Sequence, residues 1–502
     1  MKFIRLILLL QMACTLGQAQ TQDQTGLYHG SVEAQGILTG RNNVPFWMRS
    51  NQFGSIPLPG ASGSLIASGR KDYDSTSPDL TDWGAGVEVR GDLGSGSRLT
   101  LIEGYVKFRM SIFEFKAGRA KEIMGLVDTS LSSGAFVESG NALPIPKVQL
   151  SIPNYFRLPF FNGLLSFKGN LAHGWLGQQP VIPNGKVHGA NTYYHQVSLY
   201  GRLGRPDWKL QLFGGLNHQA YWGNEQSIYG SRYWGLSTAQ TFKYVMLGKT
   251  YKGSKVGNHL GSIDLGLQYD LGRVKLFVYR QNFYDEGALY KLANIVDGLN
   301  GISLVNKDEE VPDYYPVQGY YHADHDFHWH KIVLELFYSK DQAGYPWSKR
   351  TASGDENYYN NNTYPLGWSY KGLGLGNPFI TPFPSTRKNL VNDTTDFFNN
   401  NRVIALYAGM EGSYLDYRFT AKVSYSMNYG TYGTSPWGHS TGRKFYPPKY
   451  GLFGKVNQFS AYLSVERDLD ARWTIGCVAS ADKGGLFYNS TGFIFKIRRS
   501  LP

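Results

Sequence analysis

The segment YRFTAKVSYSMNY, residues 417–429, alternates between two kinds of side chain without a break. One set is largely apolar: Tyr417, Phe419, Ala421, Val423, Tyr425, Met427 and Tyr429. The set between them is polar: Arg418, Thr420, Lys422, Ser424, Ser426 and Asn428. Because successive side chains of a strand point to opposite faces, this pattern predicts a strand with one apolar face. The segment exceeds the ~5–6 residues of an ordinary strand and covers the ~9–11 residues that a tilted strand needs to cross a bilayer.

Similar alternation recurs along the chain and predicts an all-β fold. It occurs at residues 27–38, 83–93, 99–108, 113–119, 164–175, 193–203, 208–219, 263–271, 274–283, 332–340, 403–414, 459–468, 473–481 and 487–498. The last of these segments ends close to the C-terminus, so the final strand can pair with the first and leave no exposed edge. We therefore predict one transmembrane antiparallel β-barrel of about 16 to 18 strands.

Composition agrees with an exported membrane barrel. Aromatic residues make up 15% of the chain, there are 60 Gly and 36 Tyr, and only 18% of residues are charged. Residues 1–19 have the basic start, short apolar run and small residues of a signal peptide, which leaves 20–502 as the barrel domain. Cys14 is an alternative lipoprotein acylation site, although Gln11 fits that motif poorly. After cleavage Cys477 is the one remaining cysteine, so disulfides cannot stabilise the fold.

The basic charge suggests acidic partners. The formal net charge is +12, and removing Lys2 and Arg5 with the signal peptide leaves 12 − 2 = +10. Such a surface suits outer-membrane lipid, lipopolysaccharide and acidic surface polysaccharide. No motif of nucleic-acid recognition is found in the sequence. We predict a monomer that binds no nucleic acid.

An aromatic, irregular segment at residues 355–383 is the strongest candidate for carbohydrate binding. Its Pro and Gly residues exclude a long helix or strand, while its rings and amides suit the flat faces and hydroxyl rims of sugars. The candidate contacts are Tyr358, Tyr359, Asn360, Trp368, Tyr370 and Asn377. The alternative is that this segment only plugs the barrel.

Basic residues beside aromatic ones supply a second set of candidates. Arg41, Trp47 and Arg49 lie in RNNVPFWMR, which could grip an anionic sugar by stacking and bidentate pairing. It could equally fill the lumen or anchor at the membrane interface. Arg119 and Lys121, in GRAKE at residues 118–122, could bind a ligand or pair with lumen carboxylates such as Glu88 and Glu114.

Long connections separate some of the predicted strands. They are residues 39–82, 120–163, 284–331 and 341–402. Within them, LYKLANIVDGL at residues 289–299 has helical apolar spacing and predicts a short amphipathic helix that plugs the lumen or one mouth of the barrel.

Neither a metal centre nor a catalytic site is predicted. His322, His325, His328 and His330 lie close together, and Asp326, His328 and His330 would share a face of an extended segment. An exposed polar loop that leads into the strand at Ile332 is the favoured explanation, so we assign no metal and no cofactor. Ser132 and Ser133 have no recognisable base, and we predict that the protein is not an enzyme.

Several segments, in the same order, resemble the capsule-assembly (Wzi) family as it occurs in Bacteroidetes. They are VPFWMRSNQFGSIP (44–57), LSSGAFVESGNALPIPKVQLSIPNY (131–155), DGLNGI (297–302), GDENYYNNNTYPLGWSYKGLGLGNPF (354–379), NNRVIALYAGMEGSY (400–414) and NYGTY (428–432). Leu143 departs from the pattern, which usually has Arg before Pro144, and Glu356 is inserted between Asp355 and Asn357.

The resemblance implies an outer-membrane barrel of about 18 strands whose lumen is closed by loops and a helical plug. It also implies a lectin-like role, in which the barrel binds and anchors capsular or other surface polysaccharide, or helps to assemble it. The alternative is a porin or transporter for oligosaccharides or other small solutes, which requires an open lumen.

Overall fold

The computed structural model describes residues 27–501 except 42, 75, 95–96, 183–187, 224, 231, 308–326, 352 and 442–443. Eighteen strands of this part of the chain form one sheet. They are β1 Tyr28–Thr39, β2 Ser62–Lys71, β3 Thr81–Gly94, β4 Arg98–Met110, β5 Phe113–Arg119, β6 Lys147–Arg157, β7 Leu165–Val181, β8 His188–Leu203, β9 Leu210–Trp222, β10 Asn258–Asp270, β11 Val274–Tyr284, β12 Gly298–Asn306, β13 Phe327–Tyr338, β14 Val403–Tyr414, β15 Tyr417–Asn428, β16 Val456–Asp468, β17 Trp473–Gly484 and β18 Ser490–Leu501. The predicted signal peptide, with Cys14, lies outside the described residues, as do His322, His325 and Asp326.

The sheet closes on itself. Each strand pairs antiparallel with the next one along the chain, and β1 pairs with β18 from Gly30 opposite Leu501 to Thr39 opposite Gly492. Closure leaves no strand edge unpaired, which a strand in lipid requires because the hydrocarbon offers no hydrogen bonds. The predicted all-β antiparallel barrel of about 18 strands is therefore confirmed.

The two faces of the wall follow the alternation of the sequence. On β15, Val423 and Tyr425 face outward and are 39% and 43% exposed, whereas Ser424 and Ser426 face inward and are buried. Other strands also expose apolar residues outward: Leu99, Val106, Phe115, Leu199, Leu265, Leu334, Leu406 and Phe495. This apolar exterior is the surface that a barrel presents to lipid.

Three strands lie inside segments that the sequence predicted to be long connections. β2 lies within 39–82, β6 within 120–163 and β12 within 284–331. Gly and Ser on both faces weaken the alternation of β2, whose sequence is SGSLIASGRK. In β6 a register shift between Ile152 and Phe156 interrupts the period of two at Pro153.

The helix predicted at residues 289–299 is wrong. Only Leu289–Lys291 forms a 3-10 turn, and Leu292 then takes a left-handed conformation with φ 53°. The side chain of Asn294 instead donates to the carbonyl of Phe283 and to the hydroxyl of Tyr358. These buried polar contacts hold the segment in an irregular conformation. They outweigh the apolar periodicity of the sequence, because a helix here would have no partner against which to bury its apolar face.

The helices are short. They are α1 Phe46–Arg49, α2 Glu225–Tyr229 and α3 Thr238–Met246, with 3-10 turns at Phe161–Gly163, Leu289–Lys291, Phe383–Ser385 and Tyr432–Thr434. Two-stranded hairpins form from Thr250–Tyr251 with Ser254–Lys255, from Ser369–Tyr370 with Leu373–Gly374, and from His439–Thr441 with Lys444–Tyr446. No helix in the described parts of the chain has the length and apolar character that crossing a membrane requires.

The two ends of the barrel differ in their connections. Short turns at 111–112, 271–273, 415–416 and 469–472 lie at the end where the chain enters β1 and leaves β18. Long connections at 40–61, 120–146, 223–257, 339–402 and 429–455 lie at the opposite end. Because bacterial outer-membrane barrels have short periplasmic turns and longer extracellular loops, we assign the long connections to the exterior.

Three long connections fill the lumen. We call residues 40–61, 120–146 and 339–402 the plug; its buried rings form one cluster with the inner wall, which includes Trp47, Phe136, Tyr358 and Trp368. The helical part of the plug is the single turn α1, which packs against β16 and β17. The chain's own loops therefore pack inside the lumen.

Inward-facing side chains of the wall accept hydrogen bonds from backbone amides in the irregular segments of the plug. Asp264 accepts from the amide of Leu126 at 2.8 Å, and Gln281 accepts from the amide of Phe136 at 3.0 Å. Glu335 accepts from the amide of Ser133 at 2.7 Å. Because a buried amide without a partner is costly, these contacts explain how a non-helical segment remains ordered at membrane depth.

Closure of the barrel predicts that its migration on a denaturing gel depends on heat. Unheated protein in SDS should remain a folded barrel and run at a different apparent mass from boiled protein, because no edge strand is available to start unfolding. Electrophoresis of paired heated and unheated samples measures this shift. Identical migration would contradict a closed barrel, and a truncation that lacks β18 provides the control that cannot close.

Candidate functional site

An open groove lies at the exterior end of the barrel, beside the plug. It has a volume of about 330 Å³ and is bounded by residues 43–58 of the first plug loop, by residues 383–388 and by residues 482–490. We call it the outer groove. Its walls come from segments far apart in sequence, and the closure of β18 onto β1 brings them together.

Arg49 projects into the outer groove from the end of α1. The preceding residues Phe46, Trp47 and Met48 are buried in the lumen and hold the helix in place. The guanidinium lies 5.5 Å from the ring centroid of Phe487, and Nη1 lies 3.4 Å from Oγ of Ser385. The structure thus places one face of the cation on an aromatic ring, and one side-chain hydrogen bond to the described residues leaves most of the guanidinium donors unused.

The nearest acidic residue does not neutralise Arg49. Asp482 uses Oδ2 to accept from the amide of Phe46 at 2.8 Å and Oδ1 to accept from Ser460 at 2.6 Å. No carboxylate among the described residues forms a salt bridge with Arg49. Burial lowers the pKa of the Arg49 guanidinium, against the opposing charge of Asp482, but an arginine remains protonated at any physiological pH.

Two further residues make the groove basic and aromatic. Lys388 is exposed on one wall, and Tyr488 is half-buried on the other. The neighbouring Arg387 lies 5.6 Å from the ring centroid of Tyr488 and donates to the carbonyls of Phe487 and Gly484, so it stiffens this wall. Cations beside partly exposed rings are suited to an anionic sugar, which presents a carboxylate and C–H faces.

The aromatic candidates of residues 355–383 lie inside the plug. Trp368 is 1% exposed, stacks on Tyr221 with ring centroids 4.3 Å apart, and donates Nε1–H to the carbonyl of Val137 at 2.9 Å. Tyr358 donates to Asp297 at 2.8 Å, and the hydroxyl of Tyr359 donates to the carbonyl of Phe136. These rings present no free face to a sugar in this conformation.

The remaining candidates are divided between the plug and the surface. Asn360, Asn377 and Trp47 are buried, and Trp47 donates to Ser424 at 2.9 Å. Arg119 donates to the carbonyl of Leu101 and to the hydroxyl of Tyr370, which is itself 3% exposed. Arg41 is exposed at the start of the loop 40–61, outside the groove lining. Of the ten predicted residues, Arg49 alone lines the outer groove.

Several other basic residues of the lumen are paired with carboxylates, as the sequence suggested for Lys121 and Glu88. Lys121 lies 2.6 Å from Glu88, and Lys147 lies 2.7 Å from Glu122. Burial would raise the pKa of Glu122, but Lys147 and Lys116 outweigh it and hold this pKa at about 2. These charges neutralise one another between the plug and the inner wall, which distinguishes them from Arg49.

Sequence reasoning missed Lys388 and Tyr488. Lys388 follows the predicted plug segment without a ring beside it in sequence, and Tyr488 was placed in the predicted strand 487–498. The structure ends β17 at Gly484 and begins β18 at Ser490, so Tyr488 lies in the loop between them. A tyrosine two residues before the last strand, in the short loop GLFYN, was the one available signal.

Comparison with protein families yields one match. The profile of the family described as capsule assembly protein Wzi matches residues 21–309, more than half of the chain. Comparison with curated proteins finds no match.

Solved structures similar to this chain include bacterial outer-membrane proteins. OccAB2 of Acinetobacter baumannii has 10% sequence identity and a TM-score of 0.44, with 94% of this chain and 97% of that chain covered. OccD3 (OpdP) of Pseudomonas aeruginosa has 11% identity and a TM-score of 0.43, with 97% and 94% covered. The outer membrane protein opdK of Pseudomonas aeruginosa has 10% identity and a TM-score of 0.41, with 94% and 98% covered.

Proposed function

Since the chain belongs to the Wzi capsule assembly family, we propose that this outer-membrane protein binds acidic surface polysaccharide in the outer groove. Capsule assembly at the outer membrane places surface polysaccharide next to the exterior loops. The proposed role is retention of the polymer at the cell surface, with no bond made or broken.

The unneutralised charge of Arg49 is the observation that carries this proposal. Lumen cations such as Lys121 and Lys147 have carboxylate partners within 3 Å, whereas Arg49 has none among the described residues. Keeping a half-buried cation without a directly paired carboxylate costs stability, so such a group is favoured where an external anion completes it. The half-buried ring of Tyr488 provides the apolar contact that a sugar ring requires.

The closed lumen favours binding over transport. A porin needs a continuous aqueous path, whereas the described lumen contains a cluster of packed rings and loop backbone bonded to the wall. The alternative function as a porin or transporter is tested by the conductance measurement described in the Discussion.

The buried serine of the plug supports a role without catalysis. Ser132 donates to Glu335 at 2.6 Å, and the same carboxylate also accepts from Tyr279 and from the amide of Ser133. Glu335 is 4% exposed, so this pair holds the plug to the wall where no polymer can reach it. We propose that the protein is a binding protein and requires no cofactor.

Replacing Arg49 by glutamine should lower the affinity for an acidic polysaccharide by tenfold or more. The variant keeps most of the side-chain volume and the polar contact to Ser385, but it removes the charge. Loss of a well-placed interface residue costs about 1–3 kcal/mol, which corresponds to about tenfold to a hundredfold in Kd. Binding of a soluble polyuronate to detergent-solubilised protein, measured by interferometry, tests this.

Salt and a matched substitution separate the groove from general basic charge. Because exposed charges are screened over ~8–10 Å at physiological salt, wild-type affinity should fall as salt rises, and less so in Arg49→Gln. Arg205→Ala removes an exposed arginine at the other end of the barrel and should leave the affinity unchanged. Equal polyuronate binding by wild type and Arg49→Gln would overturn the proposed site, and so would equal weakening by Arg205→Ala.

A further inference from the structure

Three potential metal ligands converge where two exterior loops meet. Asp393 and Asp396 come from the connection 339–402, and His439 comes from the connection 429–455. One carboxylate oxygen from each aspartate and one ring nitrogen of His439 all lie within 4.8 Å of one another. Two carboxylates and an imidazole are a donor set that divalent transition ions bind.

A fourth residue fixes the orientation of the imidazole. Nδ1 of His439 lies 2.8 Å from Oδ2 of Asp355. Oδ1 of Asp355 accepts from the hydroxyl of Ser440 at 3.1 Å and also from its amide, so this carboxylate is fixed. A carboxylate can only accept here, so Nδ1 carries the proton and the lone pair lies on Nε2. Carboxylate–histidine pairs orient metal ligands in the same way.

Each of the two aspartates accepts hydrogen bonds through one of its carboxylate oxygens. Oδ1 of Asp393 accepts from the amide and the hydroxyl of Thr395, at 2.9 and 2.6 Å. Oδ1 of Asp396 accepts from Asn357 at 3.1 Å, whereas its Oδ2 is buried and accepts no hydrogen bond from any residue that the structure describes. Asp396 is only 8% exposed. A buried carboxylate oxygen without a partner is costly, and a bound cation would satisfy it.

Gly433 leaves open the space between the ligands. A Cβ built on this residue would lie 2.7 Å from Nε2 of His439 and 2.8 Å from Oδ2 of Asp393. The absence of a side chain there keeps both atoms accessible from one side. The backbone of Gly433, in the turn Tyr432–Thr434, does not itself require glycine, because its φ lies outside the left-handed region.

We propose that Asp393, Asp396 and His439 form a site for a divalent transition cation, with Zn²⁺ the best match. Imidazole favours Zn²⁺ over Ca²⁺ and Mg²⁺, and the carboxylates supply charge. Ligand atoms around a tetrahedral Zn²⁺ lie about 3.3 Å apart, a distance that small side-chain rotations can reach here. The side chain of His439 is 30% exposed, which leaves coordination positions on the ion for solvent. The ion would link two exterior loops by coordination bonds, in addition to the side-chain and backbone contacts between them.

Zinc titration of the purified full-length barrel tests this site. We expect one Zn²⁺ to bind per chain in isothermal calorimetry, and Asp396→Asn to weaken binding by at least tenfold without changing side-chain size. Gly433→Ala should weaken it similarly, since the new methyl group occupies the space between Nε2 and Oδ2 while every ligand remains. Gly454→Ala, which adds a methyl group to the same connection in open space, should bind as wild type does.

The outcomes are independent of sugar binding. Zn²⁺ affinity that is the same in wild type, Asp396→Asn and Gly433→Ala would overturn the site, and so would the absence of zinc binding by the wild type. Folding of each variant is checked by its heat-dependent migration on a gel. If Asp396→Asn fails this check, Gly433→Ala alone decides, because it changes neither charge nor hydrogen bonding.

Discussion

Val423→Arg should impair insertion of the barrel into the outer membrane. Val423 lies at the middle of β15, between Tyr417 and Asn428, and its side chain is 39% exposed on the outer face. An arginine on the lipid face near the bilayer midplane costs about 2–4 kcal/mol, because the charge must be moved toward the interface or hydrated within the hydrocarbon. Yield of heat-modifiable barrel in outer-membrane fractions, or unfolding by urea in vesicles, measures this cost.

Thr420→Arg is the matched control on the same strand. Thr420 faces the lumen and pairs with Glu411 on β14. A cavity of about 280 Å³ adjoins it and is also lined by Glu411, which forms no salt bridge with the described residues, so a new arginine has both space and a facing carboxylate. This variant should insert as wild type does. If Val423→Arg inserts equally well, the lipid face has been assigned to the wrong side of the wall.

Trp368→Ala should open an ion path through a barrel that is otherwise closed. The indole is buried, stacks on Tyr221 and donates to the carbonyl of Val137, which belongs to a different plug loop. Removing a buried tryptophan costs about 3–5 kcal/mol, through lost packing and the cavity that remains. That cost should loosen the contact between the two loops and the wall. In planar bilayers we expect no steady current through wild type and steady current through the variant.

Trp347→Ala controls for the loss of an indole from the same connection. Trp347 is 70% exposed and stacks on Tyr345 with ring centroids 4.7 Å apart, outside the packed lumen. This variant should remain closed. Steady current through the wild type would contradict the closed plug and favour the transport function. A closed Trp368→Ala variant would show that other contacts hold the plug.

The barrel could be predicted from sequence because lipid imposes a simple rule on its wall. Every outward residue of a strand such as β15 must be apolar, while inward residues are free to be polar, so the period of two is visible in one sequence. The alternation of apolar and polar residues is weakened by Gly, Ser or a bulge in β2, β6 and β12, so these strands were not predicted. The sequence pattern therefore predicted long connections at positions where the structure has strands.

The site was less predictable because it depends on contacts between distant segments. Arg49 was singled out by its aromatic neighbours, but the same pattern suggested Trp47, which proved to fill the lumen. The rings around Trp368 suit a sugar and suit a packed core equally well, and sequence alone does not separate these environments. Lys388 and Tyr488 enter the outer groove only through loops that barrel closure brings together.

The attachment of the plug to the wall limits how the lumen of this protein can open. Residues 120–146 are covalently continuous with β5 and β6, and residues 339–402 with β13 and β14, so neither can enter or leave the lumen as a separate domain. Both segments are tethered at the exterior end of the barrel, so any movement out of the lumen must be toward that end. Opening of this protein would therefore be a local rearrangement of tethered loops inside an intact wall.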